Sequence, residues 1–349
     1  MRKLRIGYIP YSANLTHPAD RRRLAYWARK RGHNLVFDIN SKCDVIFQSI
    51  RADLGADKIA NKKTPYVLDL VDGYLGQDHY WRDWLRGAGK VLTRQITGPI
   101  RPFSKVVESA CTRASAVVCE SIEQVKTIEP FCANVHPILD FHEEFPFIPF
   151  KRQQNDLRTK SLIWEGLPYT AKGLCLLSDF FSLNRENESV SLEMVTDLHY
   201  PLFLGKYFSR ETSNSVKDIR NQLGGRLKIT EWSIDSVVNG SLRSRLAILP
   251  LDPGGFLNPL KAENRLLIMW RLGLPTLTSP SRAYARVMNE LQINGICSDQ
   301  AQWTEKLNFL SESIDMQQNM VEAGQQYIRE THSEKLVLSA WDELFNSVL

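Results

Sequence analysis

The first half of the chain alternates short apolar runs with segments of helical period. The apolar runs predicted as strands are RIGYIPYS, NLVFDI, CDVIFQSI, PYVLDLVDGYL, ASAVVCES and VHPILDF. Helices are predicted from the segments DRRRLAYWARKRGH and IEQVKTIEPFC, which lie between those runs. Strands and helices that alternate in this way are typical of βαβ units and predict a parallel sheet.

The first of these helices has well-marked ends. Asp20 is a suitable N-cap, and Gly32 is a natural C-terminal stop. Leu24, Trp27 and Ala28 fall on one helical face, so we expect this face to pack against the sheet.

The pattern breaks at residues 144–156 and then starts again. The segment EFPFIPFKRQQND contains two prolines and then becomes polar, which indicates a linker. A second series of predicted strands follows, namely SLIWEG, SLEMVTD, LKITEW, RLAILPL and LPTLTS. We therefore predict an α/β protein with two Rossmann-like doubly wound domains, residues 1–150 and 151–349, that face each other across a cleft. The last helix is a candidate to pack back on the N-terminal domain.

Composition and charge narrow the function classes. Hydrophobic residues at 43% and charged residues at 24% are ordinary for a globular protein and exclude a disordered or collagen-like chain. The six cysteines form no CxxC pair, and no signal-peptide pattern is present, so a reduced, cytoplasmic location is expected. Residues 1–150 carry a net charge of +6 and residues 151–349 a net charge of −1. This asymmetry favours an anionic ligand or surface near the first half, although a solvated basic face explains it equally well.

The segment 246–285 carries the clearest chemistry. It is predicted as strand, loop, helix and strand, with Asn258 as the N-cap of the helix and Gly273 as its stop. A helix N-terminus presents free N–H groups and a partial positive charge, which suit a phosphate. Lys261 and Arg265, four residues apart, would add charge on one helical face toward a diphosphate. A plain charge pair on the surface of a core helix is the alternative.

Two features of the N-terminal half are candidates for the acceptor side. Asp72 follows a predicted buried strand, at the end where α/β proteins bind ligands, and is a candidate acid or base. A carboxylate that caps the turn before Gly73 is the alternative. The segment 80–105 has six basic residues and one acid, with aromatic residues between them. It suits an anionic membrane surface or a lipid-linked acceptor better than nucleic acid, whereas a core helix with a basic outer face would give the same pattern.

The segment 246–285 resembles the C-terminal donor site of GT-B glycosyltransferases, in particular family 4-like bacterial enzymes. These enzymes carry a K-x-x-N-[KR]-L helix followed by G-L-P-T and by Ser-Pro-x-x-x-Tyr. The matching residues are Lys261, Asn264, Arg265, Leu266, Gly273, Leu274, Pro275, Thr276, Ser279, Pro280 and Tyr284. The start of the second domain is also similar to the family, since Gly166 and the pair Lys172 and Gly173 keep its spacing. The resemblance implies that the donor nucleotide and its phosphates bind this helix, with Lys172 at a second helix N-terminus.

Other positions depart from the family pattern. Leu167 replaces the Arg of the family's Gly-Arg-Leu loop, and Ile268 replaces the second Glu of its Glu-x7-Glu motif, which binds ribose. Glu263 is the nearest acid and is a candidate catalytic group that would serve the sugar or the ribose. Trp232 and Ser233 follow a predicted strand where these enzymes bind the nucleotide base, although Trp232 could equally be a packing residue.

The resemblance implies a metal-independent glycosyltransferase. It would move a sugar from a nucleotide-sugar donor to a glycan or lipid-linked acceptor, in bacterial surface polysaccharide or glycoconjugate biosynthesis. No DxD, HExxH or Walker A motif occurs, so neither a metal nor another cofactor is expected. A nucleic-acid partner is not expected, whereas peripheral contact with an anionic membrane at its cytoplasmic face is. Two alternatives stay open, namely a GT-B sugar-nucleotide epimerase or hydrolase, and a non-catalytic glycan-assembly subunit.

Overall fold

The computed structural model describes residues 2–12, 14–55, 63–75, 80–150, 160–187, 190–201, 209–255 and 258–349. The chain divides into two compact units. The first comprises Met1–His142, Leu260–Ala262 and His332–Leu349, and the second comprises Glu143–Pro259 and Glu263–Thr331. Within the described ranges, no helix is long and apolar enough to cross a membrane.

Within its described residues, the first unit contains six strands, namely β1 (Arg5–Ile9), β2 (Asn34–Val36), β3 (Val45–Ser49), β4 (Tyr66–Leu70), β5 (Ala116–Cys119) and β6 (Val135–Pro137). They form one parallel sheet with the order β2-β1-β3-β4-β5-β6. Every residue of β3, β4 and β5 is buried, because the central strands of a parallel sheet are covered on both faces. The six strands predicted for the first half are confirmed.

Before residue 142, the described part of the first unit has five helices, namely α1 (Pro18–Arg21), α2 (Leu24–Arg31), α3 (Tyr80–Leu92), α4 (Phe103–Arg113) and α5 (Ile122–Ile128). The apolar face predicted for α2 is buried, and Gly32 ends this helix as predicted. The prediction that Asp20 is an N-cap is wrong, since His17 caps α1 and Asp20 lies inside that helix. The Asp20 carboxylate turns inward, where it accepts hydrogen bonds from the Tyr8 hydroxyl at 2.5 Å and the Ser12 N–H at 2.8 Å.

The second unit contains seven strands within its described residues, namely β7 (Lys160–Glu165), β8 (Val190–Thr196), β9 (His199–Pro201), β10 (Ser209–Glu211), β11 (Leu227–Glu231), β12 (Leu246–Leu249) and β13 (Thr276–Thr278). Five of them form a parallel sheet with the order β11-β8-β7-β12-β13. The other two, β9 and β10, form a separate antiparallel pair. The five strands predicted for the second half are the five strands of the parallel sheet.

Helices pack on the second sheet and complete its core. They are α6 (Ser178–Leu183), α7 (Thr212–Ser215), α8 (Lys217–Gln222), α9 (Ile234–Arg243), α10 (Asn264–Arg271), α11 (Arg282–Glu290), α12 (Gln300–Glu312) and α13 (Ile314–Thr331). A 3-10 helix at Pro168–Leu177 follows β7, and a shorter one at Asn258–Leu260 comes before α10. The fully buried rings of Trp164 and Trp303 lie in the main core of this unit.

The helix α14 (Glu334–Val348) belongs to the first unit, although it follows the second unit in the sequence. Trp341 and Phe345 of α14 are fully buried, and the Phe345 ring stacks on Trp27 of α2 with the centroids 4.3 Å apart. The Trp27 indole N–H donates to Asp342 at 2.8 Å. One face of the first sheet is therefore covered by residues more than 300 positions apart in the chain.

Candidate active site

The carboxyl edge of the second sheet has the geometry of a ligand site. The chain order of the strands reverses between β7 and β12, and open parallel sheets bind ligands at such a point. Gly166 directly follows β7, and a Cβ at this residue would lie 2.8 Å from Arg265 Nη1. Gly173 lets the 3-10 helix approach the loop after β12, because a Cβ there would lie 2.7 Å from the Pro250 carbonyl oxygen. The structure thus places Gly166 and Arg265, both predicted for donor binding, side by side.

Arg265 lies in the first turn of α10 and reaches the end of β7. Its Nη1 donates to the Glu165 carbonyl oxygen at 3.1 Å. Asn264 is the first residue of α10, and its buried side-chain oxygen has no hydrogen-bond partner among the described residues. Free N–H groups and a partial positive charge are expected at this helix start. The amino end of α10 is therefore the candidate phosphate site of the second unit.

The start predicted for this helix is wrong. α10 begins at Asn264, and Asn258, predicted as its N-cap, begins a 3-10 turn instead. The cause is Leu260, whose side chain is buried and which belongs to the first unit. Gln124 of that unit donates to the Leu260 carbonyl oxygen at 3.1 Å. Leu260 is thus bound within the first unit, and α10 begins four residues after it, so Asn258 does not lie at its amino end.

Lys261 and Asp72, predicted for different roles, form an ion pair. The Lys261 amine donates to both Asp72 oxygens, at 3.2 and 3.1 Å, and both side chains are partly buried. Asp72 also accepts a hydrogen bond from the Gly73 N–H at 3.1 Å, so it caps the turn after β4 as well. The prediction that Lys261 and Arg265 share one helical face is wrong, because Lys261 comes before the first turn of α10.

Glu263 is the N-cap residue of α10 and is only 3% exposed. Arg286 of α11 donates to Glu263 Oε1 at 2.7 Å and to the Tyr327 hydroxyl at 3.1 Å. Arg286 therefore connects Glu263, at the start of α10, to α11 and α13 within the second unit. Its contact with a sugar or a ribose stays a prediction.

The base-site candidates lie at the same sheet edge. Trp232 follows β11, and its indole N–H donates to Glu165 Oε1 at 2.9 Å. Ser233 is the N-cap of α9, and its hydroxyl accepts a hydrogen bond from the Ser236 N–H at 2.9 Å. Lys172 is exposed and lies in the middle of a 3-10 helix rather than at a helix N-terminus, because that helix already begins at Pro168. Glu165 thus contacts both Trp232 and Arg265, one through its side chain and the other through its backbone.

A buried charge cluster lies at the carboxyl edge of the first sheet. The fully buried Arg23 donates to both Asp69 oxygens, at 2.9 and 2.6 Å, and to Asp140 at 3.2 Å. Burial, and then the Asp140 charge, raise the pKa of Glu120 well above its ordinary value. Sequence reasoning missed Arg23, because a run of three arginines carries no periodic signal of burial.

Comparison with known proteins identifies the fold. No protein-family model matches the sequence, and none of the curated proteins searched matches it. Among solved structures, TarM is 10% identical with a TM-score of 0.61, and the match covers 86% of this chain and 54% of TarM. This chain thus spans about half the length of TarM. HepE of Anabaena, solved in complex with UDP and glucose, is 12% identical with a TM-score of 0.58, over 87% of this chain and 78% of HepE.

A third structure covers nearly the whole chain. WaaG, a glycosyltransferase involved in lipopolysaccharide biosynthesis, is 14% identical with a TM-score of 0.56, over 96% of this chain and 85% of WaaG. A match of this extent includes both parallel sheets of the chain. The chain has the GT-B fold. In this GT-B chain, Ile268 is buried in an apolar cluster, which explains why no carboxylate stands at that position.

Proposed function

We propose that the chain is a glycosyltransferase that moves a sugar from a nucleotide-sugar donor to a glycan or lipid-linked acceptor. The observation that carries this proposal is the position of Arg265 at the amino end of α10, beside Gly166 and the end of β7. A cation and free N–H groups meet there at the point where a GT-B sheet binds ligands. Two structures of this fold support a nucleotide donor, since HepE was solved with UDP and glucose and S. aureus TarM with UDP. Bacterial surface polysaccharide or glycoconjugate biosynthesis is the proposed context.

The donor diphosphate is proposed to bind through Arg265, Lys172 and the amino end of α10. Positive groups that are fixed in advance stabilise the charge that develops on the diphosphate as it leaves, so the proposed reaction requires no metal ion. Lys261 is a further proposed phosphate ligand.

The roles proposed for the other candidate site residues follow from their positions in the fold. Trp232 and Ser233 are proposed to line the base site, where Glu165 fixes the indole ring of Trp232. Asp72 is proposed as the acid or base that serves the acceptor, since it lies after β4 at the carboxyl edge of the first sheet. Glu263 is proposed to act on the sugar or ribose side.

A thermal-shift screen of UDP-, GDP-, dTDP- and CMP-sugars tests the donor site. A ligand at one hundred times its Kd stabilises the folded state by about 2.7 kcal/mol. We expect one donor to raise the Tm of the wild type, and Arg265→Ala to weaken its binding by about 10- to 100-fold, because hydrogen bonds between charged groups contribute about 1.5–3 kcal/mol. Arg282→Ala removes an exposed cation from the same unit and should keep wild-type affinity. Equal affinity in Arg265→Ala and the wild type would refute the assignment of the donor site. Product analysis with and without acceptor then separates sugar transfer from hydrolysis or epimerisation.

Contact with the cytoplasmic face of an anionic membrane is proposed to occur through α3. Four large apolar side chains of this helix are exposed, namely Trp81 (61%), Trp84 (42%), Leu85 (49%) and Leu92 (74%). Tryptophan and leucine insert into the membrane interface, and neighbouring cations attract anionic headgroups.

Vesicle co-sedimentation tests this contact. We expect the double variant Trp81→Ala and Trp84→Ala to bind vesicles that contain anionic phospholipid less than the wild type, and salt to weaken wild-type binding. Leu183→Ala is the control, because Leu183 is a 75% exposed leucine of the second unit. Binding that depends on neither anionic lipid nor salt would contradict the proposal.

A further inference from the structure

The helix α3 exposes its largest apolar side chains, while two of its cations lie inward. Arg86 and Lys90 are four residues apart on one helical face, and both are partly buried. The Arg86 guanidinium lies 4.8 Å and the Lys90 amine 4.9 Å from the centroid of the Phe103 ring. The two positive charges therefore share one aromatic neighbour.

A third cation, Arg51, approaches from the loop after β3. Its guanidinium lies 4.9 Å from the ring centroid of Tyr11, which follows β1. The strand order of the first sheet reverses between β1 and β3, so this is the edge at which such a sheet binds ligands. Arg86 reaches the same edge, since its guanidinium also lies 4.9 Å from the ring of Tyr74 after β4.

These cations act on one another electrostatically. Burial, and then the charges of Arg86 and Arg51, together lower the pKa of Lys90 to about 8. Like charges that lie together cost free energy unless an anion compensates them.

No carboxylate of the described residues forms an ion pair with Arg51, Arg86 or Lys90. The neighbouring acids are engaged elsewhere. Asp83 of α3 accepts hydrogen bonds from the N–H and hydroxyl of Ser104, at 3.0 and 2.6 Å.

Three further acids near the cluster are also accounted for. Asp53 accepts hydrogen bonds from the backbone N–H groups of Gly55 and Thr97, at 3.0 and 2.9 Å. Asp72 pairs with Lys261. Burial raises the pKa of Glu120 well above its ordinary value. Among the described residues, positive charge thus exceeds negative charge at this part of the sheet edge.

We propose that Arg51, Arg86 and Lys90 form a binding site for an anionic group of the acceptor, either a phosphate ester or a carboxylate. Guanidinium groups bind both anions with two parallel hydrogen bonds, and an amine adds a compact point charge. The assignment of this anion to the acceptor rests on the proposed glycosyl transfer. The anion site itself rests on the positions of the three cations.

Calorimetric titration with sulfate tests the site, in the presence of excess UDP so that the proposed donor site is occupied. We expect the wild type to bind sulfate, and Arg51→Gln, Arg86→Gln and Lys90→Gln each to weaken that binding by about five-fold or more. Arg82→Gln is the matched control, because Arg82 is an exposed cation of the same helix that lies over the Trp81 ring. Equal sulfate affinity in the wild type and all three variants would overturn the proposal.

The pH dependence gives a second readout. Sulfate keeps its charge across about pH 6 to 10, so a change in its affinity reports on the protein. Lys90 faces Arg86 and Arg51 and donates to Gln95 at 3.3 Å. Wild-type affinity should fall as the pH rises through about 8, because Lys90 then loses its proton. Lys90→Arg keeps its charge and should flatten this profile, whereas a parallel fall in Lys90→Arg would exclude Lys90 from the site.

Competition identifies the source of the anion. Glycerol phosphate or glucuronate should displace sulfate, and the three variants should still bind anionic vesicles through Trp81 and Trp84. Loss of vesicle binding in these variants, without displacement of sulfate by either compound, would assign the anion to a lipid headgroup and overturn the acceptor assignment. Absence of nucleotide binding with an intact sulfate site would refute the proposed function and not the anion site.

Discussion

Arg23 holds two carboxylates in the interior of the first unit, so its loss should lower the stability of that unit strongly. Arg23→Met leaves Asp69 and Asp140 buried without their cation, and we expect the free energy of unfolding to fall by about 3–5 kcal/mol. Arg31→Met is the control, because Arg31 forms an exposed pair with Asp342 whose loss should cost less than about 1 kcal/mol. Urea denaturation followed by tryptophan fluorescence measures both. Similar losses in the two variants would show that the buried cluster is not a major source of stability.

Asp72 is the residue whose two possible roles can be separated by one substitution. Asp72→Asn keeps an oxygen that can accept the Gly73 N–H, so the turn after β4 should be retained. If the carboxylate acts as acid or base, turnover with the identified donor should fall by roughly 100-fold or more. Lys261→Gln removes the ion-pair partner and leaves the carboxylate in place, so it should affect donor affinity more than an Asp72 substitution does. Near-normal turnover of folded Asp72→Asn would limit Asp72 to a structural role.

At the level of elements, two separate features require a glycine after α10. One is the left-handed backbone that ends the helix, and the other is a close approach of neighbouring backbone. Gly273 has φ +75°, and a Cβ there would lie 2.6 Å from the Ile148 carbonyl oxygen. Gly225 of the same unit has φ +78° with no atom within 4 Å of a built Cβ. Gly225→Ala should therefore cost only the left-handed backbone penalty of about 1–2 kcal/mol. Gly273→Ala should lower the free energy of unfolding, measured by urea denaturation, clearly more than Gly225→Ala does. Equal losses in the two variants would mean that the Ile148 backbone can move aside.

The strands were predictable from the sequence, whereas the surroundings of several helices were not. Buried parallel strands are continuous apolar runs, and all eleven predicted ones form the two parallel sheets. The stop of α10 was also predictable, because Gly273 is a local signal. Its start was not, because Leu260 is held by a hydrogen bond from Gln124, far away in the sequence.

The helix α3 shows the same limit for the candidate site. Its sequence contains cations and aromatic residues. A core helix with a basic outer face would expose the arginines to solvent and bury the tryptophans. Trp81 and Trp84 are exposed instead, while Arg86 and Lys90 lie over Phe103. At Gly87 the helix lies against the backbone just before α4, since a Cβ there would lie 1.9 Å from the Arg101 carbonyl oxygen. The periodicity of the sequence alone does not predict that contact.

At the scale of the whole molecule, the connection between the units is more interleaved than a single linker would be. The chain passes from one unit to the other after His142, Pro259, Ala262 and Thr331. The three residues Leu260–Ala262 belong to the first unit, although in sequence they lie between the strand β12 and the helix α10 of the second. A motif that is continuous in sequence is therefore divided between two folded bodies, which the residue spacing could not show.

The place of α14 has a consequence for the order of events during synthesis. Residues 332–349 complete the first unit, and they are translated after the whole of the second. The usual order, in which the N-terminal domain folds first, should be reversed here, because Trp27 lacks its partners Trp341 and Phe345 until then. Stalled ribosome complexes that expose residues 1–331 should yield a protease-resistant fragment from the second unit and none from the first. The first part of this chain to leave the ribosome would thus be among the last to become native, and the nascent N-terminal half would depend longest on chaperones.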